Sequence, residues 1–296
     1  MARAPAKVNL GLRLTGVRPD GYHLLDSLFV PIDLADRVDV EVDAAPEPAV
    51  ELALSGPEAG DLPAGADNLV VRAAERFLAA TGLSLRVAIE LEKHIPSGAG
   101  LGGGSSDAAA VLRELARRFP QETAQIDLTA LALALGADVP FFLDPTPSRV
   151  RGIGEQVEPV AGVPALALLL AHPGISLATA AVYANWDEHD GALTRKPPRP
   201  TMPAAFGPGL QASALHELLE NDLEPPAVRL CPSIAQLQEQ IRSLGAVAVG
   251  MSGSGATVFG IFENRSSAED ALDRSQRGKF GPRVWARFAM TGASRE

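Results

Sequence analysis

Cysteine is nearly absent: Cys231 is the only one among 296 residues. No intramolecular disulfide and no multi-cysteine metal site can therefore form, which suits a reducing compartment. Beside Pro232, that thiol is expected to be inert rather than nucleophilic. Basic residues are also in deficit, with 26 Lys and Arg against 36 Asp and Glu, a formal charge of -10. A pI near 5.1 argues against any broad phosphate-backbone contact driven by counterion release, so no nucleic-acid partner is expected. A nucleotide is a different matter, because backbone N–H groups and one or two placed lysines bind it locally, whatever the global charge. Long apolar runs are missing as well. The first thirty residues contain no continuous apolar h-region, and the longest apolar stretch, Val163 to Ala171, stops at His172-Pro173-Gly174, far short of a bilayer span. A cytoplasmic protein with no membrane partner is expected. The five histidines (23, 94, 172, 189, 216) show no H-E-x-x-H spacing, which disfavours a zinc enzyme.

What the chain does contain, 46% hydrophobic and 21% charged residues, is enough for a substantial core and for one large or two ordinary domains. Val8, Leu10, Leu12 and Leu14 alternate as a strand before an Arg18-Pro19-Asp20-Gly21 turn. A second strand is expected around Leu28 to Ile32, a third at Val38, Val40 and Val42, and a short one at Val50, Leu52 and Leu54. Asn68 opens a helical pattern through Val71, Ala74, Phe77 and Leu78, and Leu85 to Leu91 alternates again. Helices follow at Ala108 to Phe119 and Leu128 to Leu135, then strand signals at Val160 to Leu170. Residues 186–208, dense in proline, glycine and charge, look like an exposed loop or an inserted linker. The remainder reads helix (Leu215 to Glu220), helix (Ile234 to Leu244), strand (Ala246 to Val249), glycine turn, strand (Thr257 to Phe262), helix (Ala268 to Arg274) and strand (Val284 to Ala289). A domain boundary is expected near 155–163, giving 1–158 and 159–296.

The densest signal is Pro96-Ser97-Gly98-Ala99-Gly100-Leu101-Gly102-Gly103-Gly104-Ser105-Ser106, set between an expected strand and an expected helix. Glycines there allow consecutive N–H groups to converge on an anion at the helix N-terminus, a phosphate cradle. The segment satisfies G-x-G-x-x-G, but a dinucleotide fingerprint needs a further parallel strand after the helix, where Pro120 instead leads into more helix. It lacks the Gly-Lys-Ser/Thr of a P-loop, and V-A-I-K, H-R-D and D-F-G are absent downstream. A less common nucleotide loop remains.

Pro96 to Ser106 resembles the phosphate-loop motif of the galactokinase, homoserine, mevalonate and phosphomevalonate kinase superfamily. Ala4-Pro5-Ala6-Lys7-Val8-Asn9-Leu10 resembles its first motif, and Gly250-Met251-Ser252-Gly253-Ser254-Gly255-Ala256-Thr257 its third. Within that superfamily, Asp20-Gly21-Tyr22-His23, Gly136-Ala137-Asp138-Val139-Pro140-Phe141-Phe142 and Asn221-Asp222-Leu223-Glu224-Pro225 are similar to the 4-diphosphocytidyl-2-C-methyl-D-erythritol kinases. Ser97 stands where that family often has Met. The resemblance implies an α+β, two-domain small-molecule kinase fold with the active site in the interdomain cleft. The implied reaction is ATP-dependent phosphorylation of the 2-hydroxyl of the cytidine diphosphate-linked methylerythritol in non-mevalonate isoprenoid precursor synthesis. Monomer and homodimer both remain open.

The resemblance also implies roles for residues. Asp138, past Gly136 and before an apolar Val-Pro-Phe-Phe run, becomes the catalytic base, and Lys7, a lone cation in an apolar strand, its partner. Residues 96–106 hold ATP, with Lys93 and Asn68 on the nucleotide side. Tyr22 and Tyr183 flank the cytosine, His23 hydrogen-bonds it, and Asn9 contacts the erythritol end. Mg2+ accompanies ATP by bridging β- and γ-oxygens; Ser105 and Ser106 are candidate ligands. Two rivals are another alcohol kinase of the superfamily, which would have no use for Asp20-Gly21-Tyr22-His23, and a non-catalytic nucleotide or RNA-binding module sharing the fold.

Overall fold

A computed structural model describes residues 1–60, 62–189, 218–281 and 284–292. The chain divides into two compact units, each assembled from separated segments. The first comprises Met1–Ala6, Leu34–Ser97 and Gly102–Pro145, and the second Lys7–Asp33, Gly98–Leu101 and Thr146–Glu296. Both draw on strands β1 (Ala2–Val17) and β2 (His23–Ala44), 16 and 22 residues long. The two strands expected at Leu28 to Ile32 and Val38 to Val42 are thus one. Pro31 and the polar Asp33 and Asp36 interrupt the apolar pattern within this one strand. Nor does β1 alternate, since Ala4 through Arg13 are all buried, as in strands covered on both faces.

In the first unit, the end of β2 pairs antiparallel with β4 (Leu85–Glu92), Arg37 opposite Glu92, and β3 (Ala49–Ser55) pairs parallel with β4. Helices α1 (Leu69–Thr81), α2 (Gly103–Arg118) and α4 (Leu128–Leu135) pack together, with a short α3 (Pro120–Thr123) between the last two. α1 starts where expected because Asn68 Oδ1 accepts from Val70 N at 3.1 Å, and it buries Val70, Val71, Ala74, Phe77 and Leu78. The Asp138 turn leads from α4 into a single 3-10 segment, Pro140–Leu143.

In the second unit, Leu25 to Phe29 of β2 pair with β5 (Ser148–Gly152), which pairs with β6 (Gln156–Pro159). A four-stranded antiparallel sheet has the order β10 (Trp285–Met290), β7 (Ala167–His172), β9 (Val258–Phe262), β8 (Ala248–Met251). Its core joins Leu169, Ala171, Val258 and Phe262 to side chains of α5 (Thr179–His189), α6 (Glu224–Leu230), α7 (Ser233–Ser243) and α8 (Arg265–Arg274). β5, β6, α5 and α6 escaped the pattern. β5 has one apolar residue, Val150, inside Ser-Arg-Val-Arg-Gly, and α6 opens on Pro225-Pro226, which suits a first helical turn but looks like a loop. Residues 186–189 belong to α5 rather than a loop, while 190–208 and 215–217 lie outside the described residues.

Candidate active site

The middle of the glycine segment belongs to the second unit. Lys7 N donates to Leu101 O at 2.9 Å and Thr257 N to Ala99 O at 3.2 Å, which ties the segment to β1 and to the edge of the third glycine motif. The Lys7 side chain is 3% exposed. Its Nζ donates to Asn9 Oδ1 at 2.6 Å and Gly100 O at 3.1 Å, and lies 4.7 Å from the Phe29 ring centroid. Ser252 Oγ donates to the same Gly100 carbonyl at 2.9 Å and accepts from Asn9 N. Asn9 is completed by Ser27 Oγ, which accepts from its Nδ2 at 2.9 Å. Gly100 has φ +77°, and a Cβ there would stand 2.3 Å from Ser252 O, so only glycine lets the two backbones approach this closely. The loop is therefore pinned through one carbonyl by an ammonium and a hydroxyl. Pro96 is buried while Ser97 and Gly98 are exposed.

The end of the segment belongs to the first unit and starts α2. Gly102, at φ +73°, occupies the cap position, and no side chain caps this 16-residue helix. Its first N–H groups are therefore left without an intrahelical or side-chain cap partner, as an anion site would require. Gly104 is exposed, Ser105 half-buried and Ser106 buried. Ser106 Oγ has no hydrogen-bond partner among the described residues.

Lys93 lies within this first turn's support. Its side chain is 3% exposed, and Nζ bonds Asp36 Oδ2 and, at 2.6 Å, Asp107 Oδ2. Asp36 Oδ1 also accepts from the N–H groups of His94 and Ile95, fixing the turn that leaves β4. Burial pushes the Asp107 carboxyl up to about 8, with Asp36 adding to the rise and Lys93 opposing it. Burial alone would lower Lys93, but the attraction of Asp107 and Asp36 outweighs it and the net direction is upward. Lys93 thus acts on the helix start from within an ion triad. Asn68 likewise is committed to backbone, its Nδ2 donating to Pro63 O at 2.8 Å while Oδ1 caps α1.

The pyrimidine candidates gather in the second unit. The His23 ring lies 4.7 Å from Tyr183, tilted 34°, and 5.4 Å from Trp186, edge-on at 87°. His23 Nε2 is 2.7 Å from Asp187 Oδ1. Tyr22, next to His23, is 61% exposed. α5 also reaches the third glycine motif, where Thr179 Oγ1 and Ser254 Oγ are 2.9 Å apart. Asp138 is half-buried in the first unit.

The glycine segments carry a recognisable family signature. The model of the GHMP kinases N terminal domain matches residues 68–144, and that of the GHMP kinases C terminal matches 205–278. A 4-diphosphocytidyl-2-C-methyl-D-erythritol kinase of Granulibacter bethesdensis is 44% identical over 285 residues, 95% of this chain and 92% of the relative. One of Paracoccus denitrificans is 46% identical over 275 residues, 92% and 90% of the two chains. The chain belongs to the 4-diphosphocytidyl-2-C-methyl-D-erythritol kinase family. A crystal structure of 4-(cytidine 5'-diphospho)-2C-methyl-D-erythritol kinase aligns with TM-score 0.74 and 40% identity over 98% of this chain and 99% of that one. A mevalonate kinase from L. major, 12% identical with TM-score 0.67, shares the fold. The protein is accordingly a kinase of the α+β GHMP fold, with ATP as phosphoryl donor.

In this family member the Asn221-Asp222-Leu223 stretch is a brace. Asn221 Nδ2 donates to Met251 O at 2.9 Å and Gly253 O at 2.8 Å, and its Oδ1 accepts from Leu223 N. Asp222 Oδ2 accepts from Leu14 N at 2.8 Å. Sequence reasoning passed over Asn221 and Ser252 as site residues, although both lie in quoted motifs. It also missed Asp36, Asp107, Trp186 and Asp187, for which no local pattern stands out.

Proposed function

We propose that the protein phosphorylates the 2-hydroxyl of 4-diphosphocytidyl-2-C-methyl-D-erythritol in cytoplasmic, non-mevalonate isoprenoid precursor synthesis. Asp138 takes the proton as the substrate oxygen bonds to the γ-phosphorus, the bond to the β–γ bridging oxygen breaks, and ADP leaves. Lys7 offsets the charge that develops on the transferred group. Its grip on the Gly100 carbonyl supports this role, because the same ammonium is held directly against the glycine loop. Asn9, whose amide holds Lys7, orients that ammonium at the acceptor end.

Residues 96–106 cradle the phosphates through backbone N–H groups, aided by the uncapped start of α2. Lys93 and Asn68 support the nucleotide side through the ion triad and the α1 cap. Mg2+ fits the donors present, since Ser106 Oγ is a buried hydroxyl without a partner and the adjacent Ser105 is a second oxygen donor; both are hard ligands. The ion would neutralise charge on the β- and γ-phosphates.

The observation that carries the substrate reading is the His23–Tyr183 pair, 4.7 Å apart beside the exposed Tyr22. Aromatic faces and a ring nitrogen suit a pyrimidine, and a small aliphatic alcohol such as homoserine or mevalonate would not need them. A coupled assay of ATP consumption across the three alcohols tests it. Turnover only with the cytidyl substrate is expected; turnover of homoserine or mevalonate in its place defeats the reading.

A further inference from the structure

We propose that Asp187 is a specificity-determining positioning residue. It fixes the His23 imidazole with its hydrogen on Nε2, so that Nδ1 is presented as an acceptor that selects an aminopyrimidine over its oxo analogue. This rests on the cytidyl reading above and goes beyond it to how cytosine is told from uracil.

Asp187 Oδ1 stands 2.7 Å from His23 Nε2. A carboxylate has no hydrogen to give, so Nε2 must be the donor. A neutral imidazole carries one N–H only, which leaves Nδ1 as a bare lone pair. Nδ1 has no hydrogen-bond partner among the described residues. The ring is held against Tyr183 and the edge of Trp186, so its lone pair has a defined direction. Cytosine differs from uracil at one exocyclic group, an amine that donates against a carbonyl that accepts. Facing a fixed acceptor, the amine gains a hydrogen bond and the carbonyl meets repulsion, a discrimination of about 10- to 100-fold. As a plain ion pair, Asp187, whose side chain is 53% exposed, would contribute little to stability and nothing to base choice.

The test compares kcat/KM for the cytidyl substrate and its uridyl analogue in wild type, Asp187→Asn and Asp187→Glu, at about pH 8.5 where an ordinary imidazole is neutral. The Asn amide can donate to Nε2, which releases the other tautomer. Asp187→Asn should lower the cytidyl preference by about 10-fold through KM with kcat held, and Asp187→Glu should restore it. Long-range 1H–15N spectra of histidine-labelled protein should show His23 protonated on Nε2 in wild type and a mixture in Asp187→Asn. A wild type that prefers the cytidyl substrate, with Asp187→Asn keeping that preference within about twofold, overturns the inference and leaves the cytidyl reading standing. So does a wild-type spectrum with the hydrogen on Nδ1. A wild type with no cytidyl preference overturns both.

Discussion

Asn221→Asp changes one atom and inverts the chemistry of a brace. The native amide donates two bonds, at 2.9 and 2.8 Å, to the carbonyls of Met251 and Gly253, and the residue is 7% exposed. Losing both costs about 2 kcal/mol at a net ~1 kcal/mol each. A carboxylate facing two buried carbonyl oxygens adds about 1 to 2 kcal/mol, giving a total near 3 to 4 kcal/mol when it is ionised. For a chain of this size that is a fall in Tm of roughly 10 °C. When protonated, the new carboxyl can donate to one carbonyl and recover about 1 kcal/mol. Its folded pKa is thus raised above the unfolded value, so the folded state binds more protons and stability falls as pH rises through the pair of values. Thermal melts at about pH 5 and pH 8 should therefore show the larger loss at pH 8. Function should follow, because a Cβ at Gly253 would lie 3.3 Å from Lys7 Nζ and 3.1 Å from Gly100 O. A loop displaced there should reduce kcat/KM for ATP by about 10-fold. A Tm within about 2 °C of wild type at both pH values, or a loss equal at the two, refutes the brace.

Asp138→Asn should lower kcat by about 10² to 10⁴ while the KM for ATP stays near wild type; wild-type turnover would remove Asp138 as the base. Gly100→Ala places a Cβ 2.3 Å from Ser252 O and 2.9 Å from Gly255 O at φ +77°. The strain and lost loop contacts should cost about 2 to 4 kcal/mol in urea unfolding and disable ATP turnover. His172 is 5% exposed, accepts from Gly174 N through Nδ1, and burial pushes its pKa down to about 4. The unfolded chain binds the proton more readily, so stability is complete above the ordinary imidazole value and falls as pH drops from about 6.5 towards 4, by up to about 3 kcal/mol. His172→Gln should flatten that part of the urea-unfolding profile, and an unchanged slope would show that another group carries it.

Much of this protein was written locally. Asn68 announces α1 because an amide oxygen can take up an orphan N–H two residues on, and the glycines between β4 and α2 mark a candidate anion site because consecutive residues can supply the donors. Lys7, Asn9 and His23 were marked by motif, Tyr183 only by the family resemblance, and the family follows from motif order alone. Other elements were hidden where burial replaced alternation. β2 looked like two strands since residues 26–32 are buried on both faces while 36–40 alternate, and no period survives that change.

The fine structure of the site was decided only by tertiary contacts. Gly100 O is shared by Lys7 and Ser252, 93 and 152 residues away; Asp36 meets Lys93 across 57 residues; Asp187 meets His23 across 164. A hydrogen bond between such distant positions leaves no trace in propensity or spacing, because each partner is an ordinary polar residue in its own segment. The sequence by itself determined that the chain is a kinase and marked the glycine loop as a candidate phosphate site. The tertiary structure decided which atoms hold that loop and that histidine in place, since burial and chain closure alone bring those groups within bonding distance.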